Sequence, residues 1–393
     1  MIDPRHRARR VAAERRFRLY GAAALVIATA LLAYLLLDIV RKGYPAFYHH
    51  RAEIAVTVPA GEFEETALLK ESWRALFPEA TSRADRKKAN SLLSASAVDE
   101  FKALLAASMP AAGTTIRFAA SLSDTADLYL KGQRASGADP AMMETLASRT
   151  AITRHFAWHF LENGDSREAE VAGLRGALIG SLYAAAVAMA IGLPLGIGAA
   201  LYLEQFAPKN RWSKIIEINI NNLAAVPSII FGLLGLAIFI NMFGLPRSTP
   251  LVGGMVLSLL VLPTIIIATR AALRSVPPSI REAALGIGAS EQQAVFHHVL
   301  PVALPGILTG TILALARAFG ETAPLLMIGM VAFIADVPSR LTDAAAVLPV
   351  QIYLWSDLPE LTYQSKTAGA IIVLIVVLFL LNGAAIYLRK CYE

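Results

Sequence analysis

Five stretches of this chain run too long without a charge to fold in water: Leu19–Leu37, Gly176–Leu203, Ile218–Pro246, Ser248–Thr269 and Thr367–Leu388, of 19, 28, 29, 22 and 22 residues. A helix needs about 20 apolar residues to cross a bilayer, because every backbone polar group must be satisfied inside the segment. A sixth stretch, Val299–Ala335, is apolar apart from Arg317 and Glu321. The runs predict an all-α polytopic membrane protein with six transmembrane helices. Composition agrees: 17% of residues are charged, against about 25% in soluble domains. With 56% hydrophobic residues and a mean hydropathy of +0.53, soluble globular, disordered and fibrous classes are excluded. The first run is expected to be a retained anchor. The alternative is a cleaved signal peptide, but the basic region before the run is long, and Asp38–Lys42 offers no small-residue cleavage site.

The net charge of +6 comes from 36 basic and 30 acidic residues. Arg5, Arg7, Arg9, Arg10, Arg15, Arg16 and Arg18 all precede the first run. There they act as topology signals, and no nucleic-acid partner is expected. They place the N-terminus in the cytoplasm, and with six spans the connections 204–217 and 270–298 and the C-terminal tail follow it. Each of these is basic: Lys209, Arg211 and Lys214; Arg270, Arg274 and Arg281; Arg389 and Lys390. The expected location is therefore the bacterial inner membrane, multi-pass, with both termini cytoplasmic and membrane lipid as the solvent. The single cysteine, Cys391, excludes an intrachain disulfide and a Cys-based metal site.

Residues 41–170 hold 16 basic and 17 acidic residues, half of all 66 charges. The expected organisation is a basic N-terminus over 1–18, a first transmembrane helix over 19–40, a mostly helical periplasmic domain over 41–170, and a transmembrane domain over 171–390. In the outer zone, Asp99–Ala107 has apolar residues at helical spacing, with Ser94 or Ser96 available to cap it. Ile54–Val58 can form a short strand ended by Pro59. His49, His50, His155 and His159 raise a metal hypothesis, with His155 and His159 four apart on one helix face. No third ligand is evident, so the expectation is solvated or hydrogen-bonded histidines and no metal.

The connection 270–301 is the most informative stretch. Ser279 and Glu282 have capping-box spacing, and Ala283, Ala284 and Leu285 make a short helix with a small apolar face. Gly286 and Gly288 then let the chain turn sharply, before a second amphipathic stretch reaches Leu300-Pro301. Small residues on an exposed helix let a partner approach closely. The pattern Glu282-Ala283-Ala284, Gly288, Leu300-Pro301 resembles the EAA loop of ABC importer permeases, with His298 where that pattern usually has Ile. The resemblance implies that Glu282, Ala283, Ala284 and Gly288 dock on an ATP-binding subunit, which is expected to be a dimer.

In the next span, Arg317 and Glu321 stand i, i+4 and can pair on one helix face. A charge at mid-bilayer costs at least about 2.5–3.5 kcal/mol on insertion scales, so such a pair faces a bundle interior or an aqueous path. The fork of an arginine suits a tetrahedral oxyanion, and Glu321 can hold Arg317 in place while weakening its grip. The alternative is a buried interhelical pair that only fixes packing. Gly320 and Pro324 suggest a locally loosened helix. The segment Ala314–Leu326 closely resembles the A subunit of phosphate-importer permeases, as do Asn222–Gly232 and the blocks at Ser181 and Gly192–Gly196. This resemblance covers 173–390 and leaves the large outer domain unexplained. It implies a type I ABC importer (MetI-like) core, to which the charge-rich zone 41–170 adds a large periplasmic insertion after the first helix. It also implies Arg317, Glu321 and Thr322 on the substrate path, a second permease subunit of the PstC type, and a periplasmic phosphate-binding protein.

No Gly-Lys dipeptide occurs, so the chain carries no P-loop, and it has no Gly-x-Ser-x-Gly, His-Glu-x-x-His or Cys cluster. It is expected not to be an enzyme and to hold no cofactor, ATP being hydrolysed by a partner. Three readings compete. A permease subunit for phosphate, or for another oxyanion such as sulfate, molybdate or phosphonate, explains the loop and the charge pair. A secondary transporter would show internal repeats and leaves the loop unexplained. A sensing membrane scaffold has no need of Arg317 and Glu321.

Overall fold

The computed structural model describes residues 4–61, 63–133 and 138–391; the first three residues of the basic N-terminus and the last two of the chain lie outside the described residues. The uncharged runs are helices. α1 (Pro4–Gly43) leads, at about 60 Å long from its 40 residues at 1.5 Å rise each. After a short 3-10 turn, the chain enters a folded domain built from β1 (Tyr48–Thr57), α2 (Glu65–Arg74), α3 (Arg83–Asn90), α4 (Ser96–Ser108), β2 (Thr115–Ser121), α5 (Asp124–Leu130), α6 (Pro140–Arg149), β3 (Ile152–Phe156) and α7 (Trp158–Glu162). The rest is helical: α8 (Arg175–Leu201), α9 (Arg211–Ala224), α10 (Ser228–Gly235), α11 (Pro250–Ser275), α12 (Pro278–Gly286), α13 (Glu291–Gln293), α14 (Leu300–Gly320), α15 (Ala323–Met327), α16 (Leu348–Ser356) and α17 (Leu361–Cys391).

Among the described residues, five helices are long and apolar enough to cross a membrane, one of them the continuous run Glu291–Gly320 through α13 and α14. The span expected over Ile218–Pro246 is not one straight helix. α9 and α10, with its continuation to Met242, are bent by 100° at Ala225–Pro227, where a proline lacks the N–H that would continue the ladder. Counted as one span, the bent pair brings the number to six. The run Val299–Ala335 also breaks, at Gly320.

The membrane core is α8, α11 and α14, with Ala184, Ala188, Val256, Val261, Ala314 and Ala318 buried between them. Lipid tails are as apolar as leucine, so helices associate by close packing, and small residues permit it. Gly254 is the clearest case: a Cβ there would stand 2.4 Å from Val187 Cβ and 2.6 Å from the Ala184 carbonyl oxygen. α1 stands apart from this core and packs along α17, where the Cβ position of Gly43 lies 2.7 Å from the Ala368 backbone.

The domain between α1 and α8 is built on an antiparallel sheet of order β2-β1-β3. Ala52, Ile54 and Val56 of β1 point into its core, while Glu53, Ala55 and Thr57 point out, the alternation that the pleat imposes. The inner face carries Trp73, Phe101, Met143 and Leu146 from α2, α4 and α6, and Trp73 Nε1 donates to the Ala89 carbonyl at 2.8 Å. The helix expected at Asp99 is α4, but neither Ser94 nor Ser96 caps it: the cap position falls on Ala95, whose side chain cannot bond the first amides, and Ser94 Oγ only accepts the Ser96 N–H at 3.2 Å. The strand expected at Ile54–Val58 lies in β1, which begins at Tyr48 and ends at Thr57, one residue short of Val58. The shared helix face expected for His155 and His159 is not formed: His155 lies in β3 and His159 in α7, with Ala157 between the two elements.

Candidate functional site

Two of the expected constellations lie at opposite ends of α14. At its N-terminal end is the 270–301 connection. The last turns of α11 anchor it: Arg270 pairs with Glu204 at 3.2 Å and with Glu217 at 3.1 Å, and Arg274 pairs with Glu204 at 2.9 Å. These bonds tie α11 to α9 and to the turn after α8. Pro277 and Pro278 then open α12. Proline suits the first helical position, so the cap falls on Pro277 and no side chain bonds the first amides. Ser279 therefore does not cap. The capping box forms at Ser290 and Gln293, whose side chains bond each other's backbone N–H. Arg281 pairs with Glu291 at 3.4 Å, closing the two short helices on each other.

Of the four residues expected to meet an ATPase, Glu282, Ala283 and Gly288 are exposed and Ala284 is buried. Gly288 has φ +95° with nothing within 4 Å of a Cβ added there, so its conformation, and not crowding, demands glycine. Sequence reasoning missed Ile287, which is 83% exposed, and Phe296, which is exposed too. The available signal was a large apolar residue outside any membrane run.

At the other end, α14 stops at Gly320. Glu321 is extended (φ −79°, ψ 130°), and Thr322 opens the short α15. Arg317 and Glu321 therefore do not share a helix face as expected: the carboxylate lies one residue past the helix end. Their side chains still approach, Nε to Oε1 at 3.6 Å, with Arg317 41% and Glu321 20% exposed. That separation is too long for a direct hydrogen bond and leaves the guanidinium fork open. Thr322 is half-buried beside them. A helix interruption at membrane depth is tolerated where it is buried in protein or lines an aqueous cavity. Among the described residues, no group of three or more His, Cys, Asp or Glu is arranged to hold a metal ion.

Residues 192–390 match the family model described as "Binding-protein-dependent transport system inner membrane component", and residues 5–139 match one described as "Domain of unknown function (DUF3333)". Among curated proteins, the chain is 36% identical over 170 residues to the "Probable ABC transporter permease protein YqgI" of Bacillus subtilis (strain 168), spanning 43% of this chain and 58% of that protein. It is 33% identical over 240 residues to the "Phosphate transport system permease protein PstA 1" of Mycobacterium tuberculosis (strain CDC 1551 / Oshkosh), spanning 61% of this chain and 78% of that protein. Among solved structures, the inward-facing MetNI methionine ABC transporter matches at 18% identity and a TM-score of 0.44, over 56% of this chain and 95% of that one.

Proposed function

The chain belongs to the binding-protein-dependent transport system inner membrane component family, and we propose that it is the membrane-spanning permease subunit of an ATP-driven importer that moves inorganic phosphate from a periplasmic binding protein into the cytoplasm. The phosphate assignment draws on the match to PstA 1. The observation that carries it is the arginine with an open fork beside a broken helix, Arg317 at 3.6 Å from Glu321. A guanidinium in that setting offers paired N–H donors to a tetrahedral oxyanion. Glu321 orients it and offsets its charge, so that an anion is passed on and not retained. Thr322 adds a hydroxyl at the same break. The partly exposed pair calls for a second permease subunit, of the PstC type, to complete the path.

Glu282, Ala283 and Gly288, with Ile287 and Phe296, supply the docking surface for an ATPase dimer. Ala284 supports the short helix from behind. The Lys/Arg bias puts this surface and both termini in the cytoplasm and the domain at 41–170 in the periplasm. Labelled-phosphate uptake in a strain lacking its own phosphate permease tests the reading. Expression of this chain with its partner subunits should restore phosphate uptake and leave sulfate uptake unchanged. Restoration of sulfate but not phosphate uptake would replace the substrate.

A further inference from the structure

A cavity of about 390 Å³ lies between the sheet domain and the first turns of α17. Its depth is fixed by sequence: Lys366 in its wall immediately precedes the uncharged run Thr367–Leu388. The Gly43–Ala368 contact brings the end of α1 to the same level. A bilayer measures about 30 Å across its hydrocarbon and about 40–45 Å with headgroups, so a residue bordering the apolar run stands in the headgroup layer.

The charges in the wall are unevenly satisfied. Arg51 pairs with Glu100 at 3.4 Å and Lys131 with Asp127 at 2.5 Å. Lys366 is 4% exposed. It donates to the carbonyls of Ala172 at 2.7 Å and Glu170 at 3.2 Å, and among the described residues no carboxylate lies within 4 Å of it. An ammonium has three donors, so one remains. Arg51 Nε donates to His49 Nε2 at 2.8 Å. The hydrogen of that neutral ring is therefore on Nδ1, which is buried with no partner. Burial holds His49 neutral by pushing it down to about 4. Besides the paired Glu100 and Asp127 and the exposed Asp99, the wall holds two more carboxylates: Asp124, which burial and the neighbouring Glu170 push up to about 6, and Glu170, which accepts the Asp124 N–H at 3.1 Å and the Ser94 hydroxyl.

A simple anion entering this cavity meets Asp124 and Glu170, and a simple cation meets Lys366. A ligand that carries both signs satisfies both sets. At the mouth, Trp158 is 61% exposed and packs on exposed Phe156 with ring centroids 4.8 Å apart. An exposed aromatic pair of this kind marks a membrane–water interface. We propose that this cavity binds the headgroup of a phosphatidylethanolamine-class lipid. Its phosphate takes the spare N–H groups of Lys366 and His49, its primary ammonium takes Asp124 and Glu170, and its glycerol and chains lie along Trp158 and Phe156. The lipid then joins the sheet domain to α17 as a third component of the junction.

Native mass spectrometry of the full-length chain in detergent at pH 7.5 tests this, with phosphatidylethanolamine, phosphatidylcholine, phosphatidylglycerol and soluble phosphoethanolamine supplied separately. The expected result is one phosphatidylethanolamine per chain, retained under activation that strips the choline and glycerol lipids. Choline cannot donate, and phosphatidylglycerol brings no cation. Asp124→Asn and Lys366→Met should each lower retention at least tenfold. Trp158→Ser, at an exposed position, should lower it without affecting folding as scored by size exclusion. Equal retention of phosphatidylglycerol, binding of soluble phosphoethanolamine as tight as that of the lipid, or full retention by folded Asp124→Asn and Trp158→Ser would each overturn the proposal.

Discussion

Replacing Gly288 by alanine isolates backbone conformation from contact. The residue sits at φ +95° and nothing lies within 4 Å of the added methyl, so the substitution creates no clash inside this chain. Its cost is the left-handed backbone itself, about 1–2 kcal/mol for a residue with a Cβ. The free loop of the variant escapes that cost by turning elsewhere, and docking must then restore the turn. An ATPase that reads this loop should bind about 5- to 30-fold more weakly, the equivalent of 1–2 kcal/mol. Gly288→Asn should lose less, because asparagine enters the left-handed region more readily. Gly286→Ala is the control. Gly286 ends α12 and has open space at its Cβ, and alanine is favoured over glycine in a helix by about 0.8–1 kcal/mol. The assay is equilibrium binding of the ATPase subunit to detergent-solubilised permease, with folded protein scored by size exclusion. Wild-type affinity in Gly288→Ala, or an equal loss in Gly286→Ala, would refute the role assigned to the turn.

Other outcomes follow from the packing and the charges. Gly254→Ala drives a methyl to within 2.4 Å of Val187 Cβ. Overpacking of this kind costs about 1–3 kcal/mol, so the thermal midpoint of the solubilised protein should fall; an unchanged midpoint would show that α8 and α11 separate freely. Asp124, pushed up to about 6 by burial and Glu170, has a folded pKa above its unfolded value of about 3.9. Its ionisation therefore opposes folding, an effect absent below about pH 4 and complete above about pH 6. Asp124→Asn should accordingly gain stability relative to wild type as pH rises from 4.5 to 7.5, and a constant difference in melting temperature would contradict this. Alkaline phosphatase fused after Asp124 should be active and fused after Ser290 inactive; the reverse pattern would invert the topology.

The membrane helices were legible because lipid leaves an uncharged run few alternatives, and α8, α11 and α17 fall on their runs, although α11 continues through Arg270 and Arg274 and α17 takes in Lys366, Arg389 and Lys390. The interruptions were harder to read. Pro227 bends its span by 100°, yet Pro194 and Pro263 sit inside the continuous helices α8 and α11, so proline alone does not decide. Gly320 and Pro324 signalled a loosened helix, but the i, i+4 spacing of Arg317 and Glu321 presumed that it continued. Ser279–Glu282 and Ser290–Gln293 both have capping-box spacing. Pro278 at the first helical position settles which one forms, since it fixes the start of α12 ahead of Ser279. In the sheet domain, β1 pairs with β2 and β3 across long stretches of chain, Ile54 with Phe118 and His50 with Arg154, and no local pattern encodes such pairing. The cavity was invisible for the same reason: His49, Asp124, Glu170 and Lys366 meet only once the sheet domain rests on α17.

Phosphate is proposed to cross the membrane along Arg317 of this permease. ATP-driven uptake of labelled phosphate into proteoliposomes holding the assembled importer, expressed per folded permease, tests it most directly. Arg317→Gln keeps nearly the reach of the side chain but loses its charge, and Arg317→Lys keeps the charge but loses the planar fork. Uptake should fail in Arg317→Gln while folded protein remains. If the fork is what the anion needs, Arg317→Lys should fail too. Normal uptake per folded Arg317→Gln protein would contradict the claim and leave Arg317 and Glu321 as a packing pair.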